Sequence, residues 1–345
     1  MGLWEDLGPK LAQGQQLDYD QSRDMMRAIM SGSLDEVRVS ALLALLALRG
    51  VDVAELHGLA DEMRALARHI DLPTKVVDIV GTGGDGANTA NISTMASILA
   101  AAAGMPVVKH GNRASTSASG SADVLEALGV NLELDLAQIV RVFDQVGIAF
   151  LFANKFHPSM RHAARVRREL AFPTVFNILG PLTNPAKPSV SVVGVAKAEA
   201  APLVAGVFAS RGVNAYVLRG TEYGLDEITT VEPCQIWEVR GGEVTDFVVD
   251  PAQLLGVHRA TLEQLRGGSP AQNAEIARSV LAGKSSPIAD AVSLNAALAL
   301  MASRDLGAEP FDRRLTDAFG TVQGVAESGL ALGKLDEWVV ASNAQ

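Results

Sequence analysis

The order of apolar and polar positions predicts that the first part of the chain is helical. In the run 41–48, leucines cover most of a helix circumference, so this helix must pack against more than one neighbour. The pattern Ser-x-x-Glu at Ser33 and Glu36 is typical of a capping box and predicts the start of that helix, which ends before Gly50. A four-helix lobe is completed by helices predicted around Met25 and over 53–70.

After Pro73, which cannot continue a helix, short β-branched runs alternate with helical stretches. Buried strands separated by helices are typical of a parallel sheet with right-handed crossovers. The predicted strands cover 76–80, 107–108, 190–195 and 215–218, and a hairpin over 237–249 and helices from 270 onward follow them. The predicted fold class is α/β, with a small all-helical N-terminal domain (1–73) and a large α/β domain (74–345) around a mostly parallel central sheet.

Composition and charge narrow the possible classes of partner. The 345 residues carry 29 Lys and Arg against 39 Asp and Glu, a net charge of −10, which argues against a nucleic-acid partner. The single cysteine of the chain, Cys234, cannot form a disulfide within the chain, and the N-terminus lacks the basic and apolar regions of a signal peptide. The most apolar run, 41–48, is far shorter than the roughly 20 residues of a membrane span. We therefore expect a soluble, cytoplasmic protein with no membrane partner.

A glycine-rich loop follows the first predicted strand. Residues 81–86 fit the pattern G-x-G-x-x-G, but a dinucleotide site also needs an acidic residue about 20 positions later. The second strand instead ends in Lys109 and His110, and the Lys-Ser/Thr of a Walker A loop is missing. Phosphate or pyrophosphate is the better-fitting ligand, bound by backbone amides and by the helix that opens at 91–94. The alternative is that these residues form only a turn and a helix cap.

A second loop carries a dense set of polar side chains. Residues 109–113 supply cationic and amide groups, and five hydroxyls follow before a helix predicted to start near Asp123. A loop between a buried strand and a helix lies at the carboxyl edge of the sheet, where α/β proteins bind their ligands. The two loops are therefore predicted to face one cleft, although a merely solvated loop remains the alternative.

Two adjacent carboxylates, Asp226 and Glu227, follow the strand that ends near Arg219. A turn at Gly224 would bring both towards the same cleft. Magnesium prefers oxygen ligands and commonly bridges one or two carboxylates to substrate phosphates. The pair therefore predicts a magnesium site, against the alternative of two solvated surface acids.

A local cluster of positive charge between 155 and 168 stands out in this acidic chain. On a helix predicted over 159–170, Arg161, Arg165 and Arg168 share one face while Arg167 lies on another, so only one or two of them are expected to contact an anionic ligand. The cluster consists of Lys155, His157, Arg161, His162, Arg165, Arg167 and Arg168. The rigid segment after it is expected to connect the sheet with the helical lobe, so that part of 158–188 joins the N-terminal domain in space.

Taken together, six segments in collinear order resemble the anthranilate phosphoribosyltransferase family over nearly the whole chain. They are DIVGTGGD (78–85), NIST (91–94), KHGNR (109–113), SGSAD (119–123), NILGPLTNP (177–185) and GLDE (224–227). The resemblance implies transfer of the phosphoribosyl group of 5-phosphoribosyl 1-diphosphate (PRPP) to the amine of anthranilate, which releases pyrophosphate in tryptophan biosynthesis. It also implies Mg²⁺, two ions per subunit, and a homodimer formed through the N-terminal helices.

The resemblance also assigns roles to individual residues. The PRPP-binding residues it implies are Gly81, Gly84, Asp85, Thr89, Asn91, Ile92, Ser93, Thr94, Lys109, His110, Gly111, Asn112, Arg113, Ala114, Ser115, Thr116, Ser117 and Ser121. The anthranilate-binding residues it implies are Gly81, Asn112, His157, Pro158 and Arg167. Ser93 and Glu227 would contact one magnesium ion, and Asp226 with Glu227 a second. No general base is assigned, because the aromatic amine of anthranilate is already a neutral nucleophile and positioning is expected to matter more.

Two departures from the family pattern and two rival functions remain open. Many relatives have Pro where Asn154 stands, which affects the wall of the anthranilate channel, and Ser where Thr116 stands, which keeps a hydroxyl.

A pyrimidine nucleoside phosphorylase would share the fold, but the Lys-His-Gly-Asn-Arg run and the Asp-Glu pair favour transfer from the diphosphate instead. A non-catalytic relative that binds nucleic acid is disfavoured by the acidic pI of about 5.1.

Overall fold

The computed structural model describes residues 2–72, 75–114, 118–304 and 309–344. The α-helices are α1 (Leu3–Ala12), α2 (Tyr19–Ser31), α3 (Glu36–Arg49), α4 (Val53–Ala65), α5 (Ile92–Ala102), α6 (Ser121–Leu128), α7 (Leu136–Val146), α8 (Ala153–Phe156), α9 (Arg161–Leu170), α10 (Phe176–Leu179), α11 (Ala201–Ser210), α12 (Pro251–Leu255), α13 (Pro270–Leu281), α14 (Pro287–Ser303), α15 (Phe311–Glu327) and α16 (Leu330–Asn343). The strands are β1 (Val77–Gly81), β2 (Val107–Gly111), β3 (Ile148–Phe152), β4 (Val190–Gly194), β5 (Asn214–Gly220), β6 (Cys234–Arg240) and β7 (Glu243–Val249).

The sheet confirms the predicted α/β class. Its seven strands lie in the order β3-β2-β1-β4-β5-β6-β7, with the first five parallel and the hairpin β6-β7 added antiparallel at one edge. Gly81 at the end of β1 pairs with Gly194 at the end of β4, so the carboxyl ends of the central strands meet at one edge. In such sheets, ligands bind at this edge, where the strand order reverses on either side of β1.

Strand β3 was not predicted from the sequence. Its residues, Ile-Ala-Phe-Leu-Phe, contain only one β-branched side chain and directly follow the helix α7. Every one of them is buried, so the strand is stabilised by packing in the sheet rather than by local propensity.

The four helices α1–α4 form the N-terminal lobe, but the predicted cap of α3 is wrong by two residues. The N-cap is Asp35, whose side chain accepts a hydrogen bond from the backbone N–H of Arg38 over 2.9 Å. Ser33 instead closes the preceding helix: its N–H and its hydroxyl both donate to the carbonyl of Ala28. The helix α4 ends at Ala65, five residues before the predicted end.

The α9–α10 segment packs with the N-terminal helices. Ala163, Val166 and Phe176 belong to the same buried cluster as Leu43 and Leu59. The cluster continues onto α11 beneath the sheet. The domain boundary predicted at 73–74 lies outside the described residues and stays a prediction.

An ion pair crosses between the lobes. Both Nε and Nη2 of Arg211, just after α11, donate to Oδ1 of Asp61 in α4, over 3.0 and 2.6 Å. Arg211 also donates to the backbone carbonyl of Leu182 over 2.8 Å. Within the described ranges, the chain forms no helix with the length and apolarity that a bilayer crossing requires.

Candidate active site

The glycines at the ends of β1 and β4 make room for Asp226. A Cβ at Gly81 would lie 2.3 Å from Oδ2 of Asp226, and a Cβ at Gly194 would lie 1.4 Å from its backbone oxygen. Both contacts are shorter than real Cβ atoms show. Glycine is therefore required at 194, where the obstacle is backbone, and a side chain at 81 would displace the carboxylate of Asp226. The N–H of Gly83 donates to Oδ2 of Asp226 over 2.6 Å and fixes the carboxylate against the glycine loop.

Asp226 is one of three carboxylates that converge at this edge of the sheet. One oxygen each of Asp85, Asp226 and Glu227 lies within 4.8 Å of the others. As predicted, the turn at Gly224, where φ is +72°, brings both acids of the pair to the cleft. Asp85 joins them from the glycine loop. The sequence had suggested Asp85 as a PRPP ligand and not as part of the metal site.

The electrostatics of the three carboxylates fit a divalent cation. Burial and the neighbouring charge of Asp85 raise the pKa of Asp226 to about 6, and burial and the charge of Asp226 raise the pKa of Glu227 well above its usual value. Oδ2 of Asp85 and Oε2 of Glu227 are buried without a hydrogen-bond partner among the described residues. Buried acceptors that lack protein donors are suited to hold a hard cation such as Mg²⁺.

Lys109 lies beneath the same loop. Its side chain is buried, and Nζ donates to the backbone oxygen of Ile79 over 2.5 Å and to Oγ of Ser93 over 3.2 Å. Burial lowers the pKa of this amine to about 8, against the opposing influence of the nearby carboxylates. The lysine therefore places positive charge next to Ser93, in the first turn of α5.

The second loop is held by Asp123 at the start of α6. Its Oδ2 accepts from the N–H groups of Ala114 and Gly120, both over 2.9 Å. The guanidinium of Arg113 pairs with Glu126 over 2.6 Å and with Asp123 over 3.1 Å, so in this structure it faces two carboxylates. The predicted ligands Ser115, Thr116 and Ser117 lie outside the described residues, and Ser121 is the first residue of α6.

Two buried histidines lie side by side at the end of β2 and the start of the segment that leads into α9. The ring centroids of His110 and His157 are 5.1 Å apart, and both side chains are buried. Burial lowers the pKa of His110 to about 3 and that of His157 to about 4, so both are neutral at pH 7. His110 therefore adds no positive charge to the second loop, contrary to its assumed cationic role. Pro158, beside His157, begins a short 3-10 helix that leads into α9.

Arg167 differs from the other cations of its region. Its guanidinium stacks over Phe176, 5.1 Å from the ring centroid, and burial lowers its pKa. No carboxylate of residues 2–72, 75–114, 118–304 and 309–344 lies within ion-pair distance of it. By contrast, Lys155 pairs with Glu133 and Arg165 with Glu36, over 2.8 and 3.2 Å. Arg167 is thus available to an anionic ligand. Asn112, the other residue with an implied role at anthranilate from the second loop, donates to Oδ1 of Asn154 over 3.2 Å.

Residues from distant parts of the chain complete the site and were missed by sequence reasoning. Asn273 in α13 donates to Oδ1 of Asn91 over 2.7 Å, and Glu232 accepts from the backbone of the loop before Asp226. Thr89, an expected PRPP ligand, forms an antiparallel bridge with Arg266. None of these links has a local sequence signal, because each joins segments that meet only in the folded chain.

Comparisons with known proteins support this organisation. Family models for the glycosyl transferase family match residues 73–332 (a/b domain) and 6–67 (helical bundle domain). Anthranilate phosphoribosyltransferases of Arthrobacter sp. (strain FB24) and Thermobifida fusca (strain YX) are 49% and 48% identical, over 97% and 99% of this chain and 95% and 97% of their own.

Solved structures agree with these relatives. Anthranilate phosphoribosyltransferase from Thermus thermophilus is 39% identical with a TM-score of 0.90, over 97% of this chain and 99% of the other. The enzyme from Saccharomyces cerevisiae in complex with PRPP and Mg is 28% identical with a TM-score of 0.89, over 99% of this chain and 98% of the other.

Proposed function

Because the chain belongs to the anthranilate phosphoribosyltransferase family, we propose that it transfers the phosphoribosyl group of PRPP to the amine of anthranilate. The products are N-(5-phosphoribosyl)anthranilate and pyrophosphate, and the reaction belongs to tryptophan biosynthesis. The observation that carries this proposal is the cluster of Asp85, Asp226 and Glu227 beside the glycine loop, with Lys109 buried next to it. Carboxylates can hold a divalent cation that binds a diphosphate, and backbone amides and a lysine can stabilise the diphosphate's negative charge.

The residues that would hold Mg²⁺ are Asp85, Asp226 and Glu227, with Ser93 as a further oxygen ligand. The S. cerevisiae relative was solved with PRPP and Mg, which supports magnesium as the cation. Two ions per subunit are proposed, one near Ser93 and Glu227 and one near Asp226 and Glu227. When bound, magnesium neutralises charge that develops on the departing pyrophosphate.

The chain's own residues then orient the reaction. Displacement of pyrophosphate leaves positive charge on C1 of the ribose and negative charge on the leaving group. Lys109 and the amides at the start of α5 are placed to stabilise the latter. Arg167, which has no carboxylate partner in the described part of the chain, is proposed to hold the carboxylate of anthranilate by charge-assisted hydrogen bonds.

Proton removal needs no dedicated base in this proposal. Anthranilate's amine attacks as a neutral nucleophile, so the chief contribution of the site is to hold it against C1. His157, one of the anthranilate-binding residues that the resemblance implies, is buried and neutral, and its ring centroid lies 5.1 Å from that of His110, an implied PRPP-binding residue. His157 is proposed to line the anthranilate side of the cleft, with Pro158 and Asn112.

A homodimer in the cytoplasm is proposed as the working form. Support comes from α3, on which the apolar side chains of Val37 and Leu48 are 79% and 87% exposed. Such exposure on the helical lobe suits an interface between two copies of this lobe. Sedimentation of the wild type and of Leu48→Glu tests it, since a dimer formed through this face would dissociate in the variant.

One assay tests the proposed reaction. Anthranilate fluorescence should decrease on addition of PRPP and Mg²⁺ to the protein, and uracil or adenine as acceptors should yield no product. If anthranilate fluorescence stayed constant while uracil was consumed, the protein would be a pyrimidine-directed enzyme instead. Salt-sensitive DNA binding without anthranilate turnover would favour the non-catalytic alternative.

A further inference from the structure

The loop that carries the metal-binding carboxylates has little regular structure of its own. Residues 221–227 lie between β5 and the return to β6, outside any helix or strand. Two backbone bonds close its base, from the N–H of Gly220 to the oxygen of Leu225 and from the N–H of Thr221 to the oxygen of Pro233. The amides between these points need other acceptors if Asp226 is to be held in place.

One side chain, Glu232, supplies acceptors for three of these amides. Its Oε2 accepts from the backbone N–H groups of Glu222 and Tyr223, the latter over 2.8 Å, and its Oε1 accepts from the N–H of Leu225 over 3.3 Å. The side chain is 1% exposed. A Cβ at Gly220 would lie 1.9 Å from Oε1, so glycine at 220 is what admits this carboxylate.

We propose that Glu232 is a positioning residue, which holds the backbone of residues 222–225 so that Asp226 and Glu227 project their carboxylates together with Asp85 into the metal site. The inference rests on the proposed function, since it concerns the metal that this function uses. Leu225 is the immediate neighbour of Asp226, and the backbone of Asp226 packs directly on Gly194. A small shift of the loop therefore moves the backbone that carries the Asp226 carboxylate.

The chemistry of the side chain makes the role specific. Three N–H groups converge on two oxygens, and a carboxylate presents only acceptors to them. A glutamine of the same shape would turn an NH₂ group towards at least one of these N–H groups. Loss of partners that orient metal ligands typically weakens metal binding about 10–100-fold.

A matched control lies on the same sheet. Glu238, towards the far end of β6, is a partly buried carboxylate that pairs with Arg314 over 2.7 Å and accepts from the hydroxyl of Tyr216 over 2.8 Å. Within the described chain, none of the hydrogen bonds and ion pairs of Glu238 involves a residue of the loop 221–227. Glu238→Gln should lower the melting temperature without affecting the metal site.

The test measures Mn²⁺ binding by electron paramagnetic resonance, with PRPP present and anthranilate absent, for the wild type, Glu232→Gln and Glu238→Gln. We expect Glu232→Gln to bind Mn²⁺ about tenfold or more weakly and to regain turnover when Mg²⁺ is raised, while Glu238→Gln binds as the wild type does. Equal Mn²⁺ binding by Glu232→Gln and the wild type would overturn the inference. Absence of Mn²⁺ binding by the wild type would contradict the proposed function instead.

A second measurement decides the matter if Glu232→Gln fails to fold. In the wild type, opening of the loop would break both the contacts of Glu232 and the metal site. Amide hydrogen exchange at Glu222, Tyr223 and Leu225 should therefore slow at least about tenfold when Mn²⁺ and PRPP bind. Unchanged exchange at these three amides would show that the loop and the metal are uncoupled and would overturn the inference.

Discussion

The side-chain amide of Asn273 donates a hydrogen bond to Oδ1 of Asn91 over 2.7 Å, although 182 positions separate the two residues. Asn91 in turn donates to the backbone oxygen of Ser119 over 3.0 Å. Asn273 is buried, and its own oxygen accepts from the N–H of Gly268 over 2.7 Å. One asparagine of α13 thereby fixes the start of α5 relative to the second loop, so the two proposed anion-binding segments have a set separation.

Replacement of Asn273 by alanine should raise the KM for PRPP about tenfold with a smaller change in kcat. The reason is that Asn91 loses the partner that orients it, while the metal carboxylates stay in place. Gln272→Ala is the control: its side chain only caps the same helix, and its removal should cost about 1 kcal/mol of stability without a change in KM. Steady-state kinetics with varied PRPP check both, and equal KM values for the two variants would contradict the prediction.

Asp85→Asn should weaken the apparent affinity for Mg²⁺ about 10–100-fold, because one of three converging carboxylates is lost. Turnover at saturating PRPP should recover as Mg²⁺ is raised. Asp71→Asn, a change at an exposed carboxylate, is the control. The double variant Asp226→Ala with Glu227→Ala should lose turnover even at saturating magnesium. Unchanged turnover in that variant would remove the metal role from this pair.

The affinity for magnesium should fall as the pH decreases. In the metal-free protein, burial and the charge of Asp85 raise the pKa of Asp226 to about 6, and burial and the charge of Asp226 raise the pKa of Glu227 well above its usual value. Magnesium binds the ionised forms, so protons compete, and the apparent affinity should drop up to about tenfold per pH unit for each proton displaced. Magnesium activation curves at pH 5.5, 6.5 and 7.5 measure this slope. A constant affinity over that range would contradict it.

The same pKa values also set the sign of a stability effect. Because the folded protein binds these protons more tightly than the unfolded chain, Asp226 and Glu227 should add stability to the metal-free protein as the pH falls from 7 towards about 4. His110 and His157, which burial keeps neutral, act in the opposite direction below about pH 6.5. Added Mg²⁺ should remove the contribution of the two carboxylates, because it stabilises their ionised forms. Thermal unfolding of the wild type and of the double variant Asp226→Ala with Glu227→Ala, at each pH with and without Mg²⁺, isolates that contribution.

Much of this architecture could be predicted from sequence, for reasons visible in particular elements. The strands β1, β2 and β4 carry two or three β-branched residues each, which is the signal that predicted them. β5, like β3, has a single β-branched side chain, so β-branched composition does not separate the strand that was predicted from the one that was not. Burial in the sheet, rather than local propensity, stabilises both. The residues of the site differ in the same way. Asp226 and Glu227 could be predicted because they are adjacent acids in the sequence. Asn273 and Glu232 could not, because they act through contacts that exist only after folding.

Charge was the least predictable property of the site. Lys109, His110 and Arg113 lie in one run and were expected to form a positive loop. Burial keeps His110 neutral, and Arg113 is directed to Glu126 and Asp123 in this structure. A local sequence gives residue types, but not the burial and the partners that decide which of them carry free charge.

Arg167→Gln should raise the KM for anthranilate about tenfold or more, with little effect on the KM for PRPP. The guanidinium has no carboxylate partner in the described ranges, so its loss removes a ligand contact and not a structural ion pair. Arg168→Gln, one position along the same helix and exposed, is the control and should leave both constants unchanged. A loss of PRPP affinity in Arg167→Gln with normal anthranilate affinity would reassign the residue to the other substrate.

The ion pair between Asp61 and Arg211 should contribute substantially to the stability of the contact between the lobes. The side chain of Arg211 is 7% exposed and that of Asp61 18%, so a removed partner leaves a charge in a poorly solvated position. Although burial alone would raise the pKa of Asp61, hydrogen bonds from His57 and Tyr19 and the charge of Arg211 hold that pKa well below its usual range.

Arg211→Met should therefore lower the free energy of unfolding by about 3 kcal/mol, the usual cost when one partner of a buried ion pair is removed. Arg64 pairs with the same carboxylate from its own helix, over 2.9 Å, and its side chain is 20% exposed. Arg64→Met should cost about 1 kcal/mol or less, because Asp61 then keeps the bidentate bond from Arg211. Urea unfolding followed at both lobes measures the difference. An equal loss in the two variants would show that the ion pair between the lobes contributes no more stability than the ion pair of Arg64 and Asp61 within α4.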